Sequence, residues 1–149
     1  MKKRIVFLIS TALCLLGSSA VWADVAIDEA HFPDNRFRDY ISRNYDTNDD
    51  GILGTQEAST VTDTDLFGEE ISSLIGIKYF DNEESLNLGS NNLSTLDMSN
   101  CTTLIHLECC NNDNLESIDV SNCTSSVFME CFINNLSSLN AIRSIYYYI

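Results

Sequence analysis

From Ile71 onward, apolar residues recur every 21 or 22 positions. Three segments align, 84–103, 104–125 and 126–142. Equivalent positions hold Leu86, Leu107 and Met129, then Leu88, Cys109 and Cys131, then Leu96, Ile118 and Leu139. Asn91, Asn112 and Asn134 correspond, as do Asp97 and Asp119, and Cys101 and Cys123. Ile71, Leu74, Ile77 and Phe80 read as a degenerate first coil. A repeat of this length marks a solenoid, because one coil cannot bury its own apolar face and must share a core with its neighbours. The alternation around Leu86 and Leu88 predicts short parallel strands near 86–88, 107–109 and 129–131, with the leucine positions pointing inward. The expected fold is an α/β repeat, a solenoid of three to four coils with little helix in the repeats.

The preceding segment has a helical period instead. In residues 32–45, FPDNRFRDYISRNY, Asp34 is placed to cap a helix that carries Phe37, Tyr40, Ile41 and Tyr45 on one face. Earlier still, Lys2, Lys3 and Arg4 precede an apolar run from Ile5 to Leu16 and a small-residue stretch ending at Ala23. That order is an export signal cleaved after Ala23, and the run is shorter than the ~20 residues a membrane span needs. The chain therefore divides into a signal peptide (1–23), a helical cap (24–70), repeats (71–142) and an irregular apolar tail (143–149).

Charge narrows the partners. Asp and Glu number 22 against 8 Lys and Arg, a formal charge of −14. Binding to nucleic acid or an anionic membrane needs clustered cations, so neither is expected. A cation or a basic partner is compatible.

The segment DTNDDGILGTQE, residues 46–57, supplies a specific candidate. Asp46, Asn48 and Asp50 stand at alternate positions, Gly51 follows where the chain must turn sharply, and Glu57 closes the loop. A hard divalent cation needs six or more oxygens, and one looped backbone turn offers them at this spacing. Asp46, Asn48, Asp50, the Ile52 carbonyl and Glu57 are the expected calcium ligands, with water at Gly54. The segment resembles a single EF-hand loop of exported bacterial proteins, although the sequence after Glu57 is a poor exiting helix. The repeats, LxxLxLxxNxL with a nested LxxLDxSNC half, resemble a short bacterial subclass of leucine-rich repeats. Gly76-Ile77-Lys78-Tyr79-Phe80 after an acidic leader fits the same resemblance. Glu83 and Ser126 depart from it, standing where Leu104 is apolar.

Five cysteines follow the signal, an odd number with no CxxC pair. Cys109 and Cys131 take a core leucine position. Stacked strands lie ~4.8 Å apart, close enough for Cys101 and Cys123 to bond, yet directly stacked residues rarely reach disulfide torsion, so core packing is favoured. Cys110 points opposite to Cys109 and is the candidate reactive thiol.

Neither His31 nor His106 lies in a nucleophile elbow, zinc motif or phosphate loop, so no enzyme is expected. The functional expectation is an exported, non-enzymatic interaction or adhesion module in a secreted, surface or periplasmic location. Its calcium-stiffened cap closes one end of the core. A dockerin-like assembly tag and a truncated relic of a longer repeat protein are the alternatives. The expected partner face is the outward strand row of Ser85, Asn87, His106, Glu108, Phe128 and Glu130. The strand-prone segment from Ile145 to Ile149 follows an uncapped coil, which points to self-association at that end.

Overall fold

The structure, a computed structural model, describes residues 23–124, 127–141 and 146–148. The expected signal segment, apart from Ala23, lies outside the described residues.

The cap starts with β1 (Val25–Ala26), followed by α1 (Asn35–Asn44), β2 (Ile52–Leu53) and α2 (Thr55–Ser59). Asp34 starts α1 because its Oδ1 accepts the N–H groups of Arg36 and Phe37, at 2.9 and 3.1 Å, which otherwise lack helical partners. Phe37 and Ile41 are fully buried on the inner face. α2 is only five residues long, as the sequence after Glu57 suggests. β1 pairs antiparallel with β2, so the edge of the 46–57 loop is covered from within this chain.

The solenoid strands are β3 (Asp63–Asp65), β4 (Ser85–Asn87), β5 (Thr95–Asp97), β6 (His106–Glu108), β7 (Ser117–Asp119), β8 (Phe128–Glu130), β9 (Ser138–Asn140) and β10 (Tyr146–Tyr148). The main sheet is parallel, in the order β10-β8-β6-β4-β3. Leu86, Leu107 and Met129 stack in register and are almost wholly buried. The strands therefore fall within a residue of the expected positions.

Three features differ from the sequence reading. First, the solenoid begins at β3, inside the segment assigned to the cap, and not at Ile71. Thr64 stands in the leucine column there, and its polarity hid the coil. Second, the LxxLD halves form their own parallel sheet, β5-β7-β9, with Leu96 and Ile118 turned into the core. Third, the tail read as irregular contributes β10, which pairs with β8 from Tyr146↔Phe128 to Tyr148↔Glu130. The edge of β8 is therefore covered, which corrects the expectation of a bare coil at that end. Among the described residues, no strand pairs with the outer edge of β9, and its Leu139 is 40% exposed.

The asparagine column explains how coils are spaced. After β3, β4, β6 and β8 the chain turns through left-handed residues, Gly68, Ser90, Asn111 and Ile133. Carbonyls leaving the strands then point inward without ladder partners. Asn112, fully buried, donates from Nδ2 to the Leu88 and Cys109 carbonyls at 3.0 and 3.1 Å. Its Oδ1 accepts the Leu93 N–H at 3.1 Å. Asn91 does the same for Leu66 and Leu88, and Asn134 for Cys109 and Cys131.

The cap sits on the first coil through Phe32, which meets Tyr79 edge-on at 5.6 Å, and through Tyr45, whose ring lies 5.4 Å from Phe80. Gly76 is required there: its φ is 108°, and a Cβ would collide with the Phe32 ring. The GIxYF segment is thus the seat of the cap.

Candidate functional site

The outer face of the main sheet aligns two rows. One holds Asp63, Ser85, His106 and Phe128, and the other Asp65, Asn87, Glu108 and Glu130. Neighbours within a row are ~4.8 Å apart, because parallel strands in register set that spacing. All six expected partner-face residues lie together here. Asp63 and Asp65 join them, missed because β3 was not recognised. The signal that locates them is the alignment of DTDLF (63–67) with SLNLG (85–89) and HLECC (106–110).

The side chains on this face have few commitments within the chain. Among the described residues, no hydrogen bond or ion pair engages the side chains of Ser85, Glu108 or Glu130. Phe128 is 36% exposed, and its ring leans on His106 at 5.5 Å between centroids. Four carboxylates and no lysine or arginine stand in these two rows.

The second sheet contrasts with the first. Its outer face borders a shallow depression of about 350 Å³ that includes Asp97 and Asp119. Both carboxylates are spent within the chain. Asp97 accepts from the Ser99 N–H and hydroxyl at 2.9 and 2.6 Å, and Asp119 from the Ser121 N–H and Asn140 amide, both at 2.9 Å. Those bonds, Ser121 foremost, hold the Asp119 carboxyl below the usual range. The LxxLD aspartates therefore build turns.

A scan against protein-family models finds no match, and neither does a search of curated proteins. Among solved structures, the chain is similar to the functional domain of InlJ from Listeria monocytogenes, described as including a cysteine ladder. The TM-score is 0.68 at 23% identity, covering 86% of this chain and 30% of that one. It is also similar to internalin C2 of the same organism, with TM-score 0.54 at 14% identity, covering 85% of this chain and 72% of that one. The fold is a leucine-rich-repeat solenoid. This chain spans under a third of the InlJ domain's length.

The leucine-rich-repeat core also decides the fate of the cysteines. Cys101, Cys109, Cys110, Cys123 and Cys131 are all buried free thiols. Cys123 Sγ lies 3.3 Å from the Cys101 carbonyl oxygen. Burial pushes the Cys101 thiol up to about 12 and Cys123 to about 11. The expectation of a reactive Cys110 is corrected. Its side chain does leave the core row, yet only 2% of the residue is exposed and burial raises its thiol too. A thiolate is the reactive form, so a buried, uncharged thiol is inert.

In the 46–57 loop, the expected ligands lie along one tight turn, with Asp49 at φ 56° and Gly51 at φ 76°. Asp46 accepts the N–H groups of Asp50 and Gly51, at 3.1 and 2.9 Å. Asn48 accepts the Asp50 N–H and Asp50 the Ile52 N–H, both at 2.9 Å. These three side chains fold over the turn and accept its own N–H groups. Glu57 is engaged by the loop itself: Oε1 accepts from the Thr47 N–H and hydroxyl at 2.7 Å, and Oε2 from the Gly54 N–H at 2.9 Å. Those contacts, Thr47 first, hold its carboxyl below the usual range. Among the described residues, no three His, Cys, Asp or Glu side chains converge as a metal site. No helix among them is long and apolar enough to cross a membrane.

Proposed function

We propose that the chain is an exported, non-enzymatic protein-interaction module that presents the outer face of its main sheet to a basic partner. The observation that carries this reading is the pair of in-register rows, where four carboxylates flank an exposed phenylalanine and few side chains are spent inside the chain. A rigid face lowers the entropic cost of binding, and an aromatic anchor with charged surroundings gives both affinity and steering. Similarity to internalin solenoids supports the module and leaves the partner to be identified. The negative charge disfavours nucleic acid.

The test is capture from extracellular extracts, followed by affinity measurement with the purified partner. Phe128→Ala is expected to weaken binding about tenfold or more, as central aromatic anchors do. Glu130→Lys is expected to slow association and flatten its salt dependence. Unchanged affinity and salt dependence in both variants would move recognition to another face.

The reading includes calcium in the cap. Asp46, Asn48, Asp50 and the Ile52 carbonyl would hold the ion, and Glu57 would join them by leaving Thr47. Its role is structural, fixing α1 against the first coil so that the end of the core stays covered. Calcium at about a hundred times its Kd is expected to stabilise the fold by about 2.7 kcal/mol, and chelator or Asp46→Ala to abolish the gain. Titration calorimetry showing no uptake at millimolar calcium rejects the site. A dockerin-like tag is less favoured, since the described cap holds one such loop and β1 already pairs with its edge. Self-association would use the outer edge of β9, which no described strand covers, beside exposed Leu139.

A further inference from the structure

We infer that Glu83, Thr64 and Tyr45 form a proton-controlled latch between the helical cap and the first coil, closed when the Glu83 carboxyl is neutral.

The geometry begins with two polar residues in apolar columns. Glu83 stands two residues before β4, where Val61 precedes β3 and Leu104 precedes β6. Val61 and Leu104 are core residues, and Glu83 is 0% exposed among them. Thr64 stands in the column of Leu86, Leu107 and Met129 and is 2% exposed. These two departures from the repeat meet. Thr64 Oγ1 donates to Glu83 Oε2 at 2.8 Å. The threonine hydroxyl has one proton, so Tyr45, 2.9 Å away, is the donor in the other contact. The chain of bonds runs from Tyr45 at the end of α1, through Thr64 on β3, to Glu83.

The far oxygen, Glu83 Oε1, is buried with no hydrogen-bond partner. Glu83 also makes no ion pair among the described residues. A carboxylate buried without a cation is far more costly than a neutral carboxyl. The groups facing it cannot relieve a negative charge. They are Asp63 on β3, Tyr40 on α1, Tyr45 directly after it, and Cys101 in the next coil. Burial pushes the Glu83 carboxyl up to about 7, the Thr64 hydrogen bond opposes the rise, and the Asp63 charge adds to it. A phenol keeps its proton across the range of pH in which a carboxyl titrates, so Tyr45 stays a donor throughout.

The sign follows from linkage. A carboxyl with a raised pKa in the fold favours folding fully at pH values below its unfolded value, near 4.5. That contribution declines as pH rises and is lost once the folded carboxyl ionises around 7. The charge then draws water to the seam beneath Tyr45, and α1 loosens before the repeats do.

Hydrogen exchange tests this on the whole chain, with rates corrected for their intrinsic pH dependence. Between pH 5.5 and pH 8, the amides of α1 are expected to lose at least tenfold in protection while those of β6 and β7 keep theirs. Glu83→Gln is expected to remove that difference. A second readout uses the unaltered protein with carbon-13 at the glutamate carboxyls. One glutamate should titrate near 7, in step with the loss of α1 protection. Glutamates that all titrate below pH 6, a glutamine variant with the same pH response, or equal loosening of α1 and the repeats would each overturn the latch.

Discussion

Asn112→Ala is expected to lower stability by about 3–5 kcal/mol in urea unfolding. Alanine fits the space, so sterics are not the cause. The loss comes from what Asn112 leaves behind. The Leu93 N–H and the Leu88 and Cys109 carbonyls are buried and meet its amide at 3.0–3.1 Å. The Leu93 N–H is left alone, at a cost of about 1–3 kcal/mol, while the Leu88 and Cys109 carbonyls keep the Asn91 and Asn134 amides and each lose one hydrogen bond, about 0.5–1.5 kcal/mol. Aspartate does not rescue the site, since it lacks the amide donors and adds a buried charge. Exposed Asn92, whose amide makes only a 3.4 Å contact to the Glu70 carbonyl, is the control. Asn92→Ala is expected to stay within about 0.5 kcal/mol.

Asp34→Ala comes next, with an expected loss of about 2–4 kcal/mol. This side chain makes five hydrogen bonds on two elements. Oδ1 caps α1 through Arg36 and Phe37, while Oδ2 accepts from the Ser72 N–H and hydroxyl at 2.7 Å and the Ser73 N–H at 3.1 Å. It is both helix cap and tether to the first coil. Asp34→Asn should lose about half as much, because the amide keeps one acceptor for the cap and turns a donor toward the serines. Burial alone would raise this carboxyl, but the bonds from Ser72, Phe37 and Ser73 outweigh it and hold it low. The stability it gives is therefore complete above about pH 4 and is lost as pH falls through its depressed folded value. Acid unfolding of the alanine variant should be correspondingly less steep below pH 4.

Asp34 and Glu83 pull in opposite directions. The first weakens the cap as acid is added and the second as it is removed. The attachment of the cap should therefore be tightest in mildly acidic solution, and thermal unfolding across pH 3–8 would locate the maximum.

The repeat was legible because its physics is local and periodic. Leu86, Leu107 and Met129 had to share a core, since none of their coils can bury an apolar row alone. Strand positions, the asparagine column and the outward row of six residues follow from that period. The cap helix was legible for the same reason, since Asp34 and the apolar residues behind it act within a few turns. Where the period is broken, tertiary structure decided. Thr64 and Glu83 read separately as a hidden coil and a stray acid in a leucine position; only folding brings them to 2.8 Å and makes each the reason for the other. Cys110 alternates correctly out of the core row, yet packing around the turn buries it. The tail gave no repeat to align, and β10 exists because β8 offers an open ladder. Sequence thus determined what each coil needs from any neighbour of its kind. The contacts across the seam between the cap and the first coil joined residues with no common period, and those only the fold assigned.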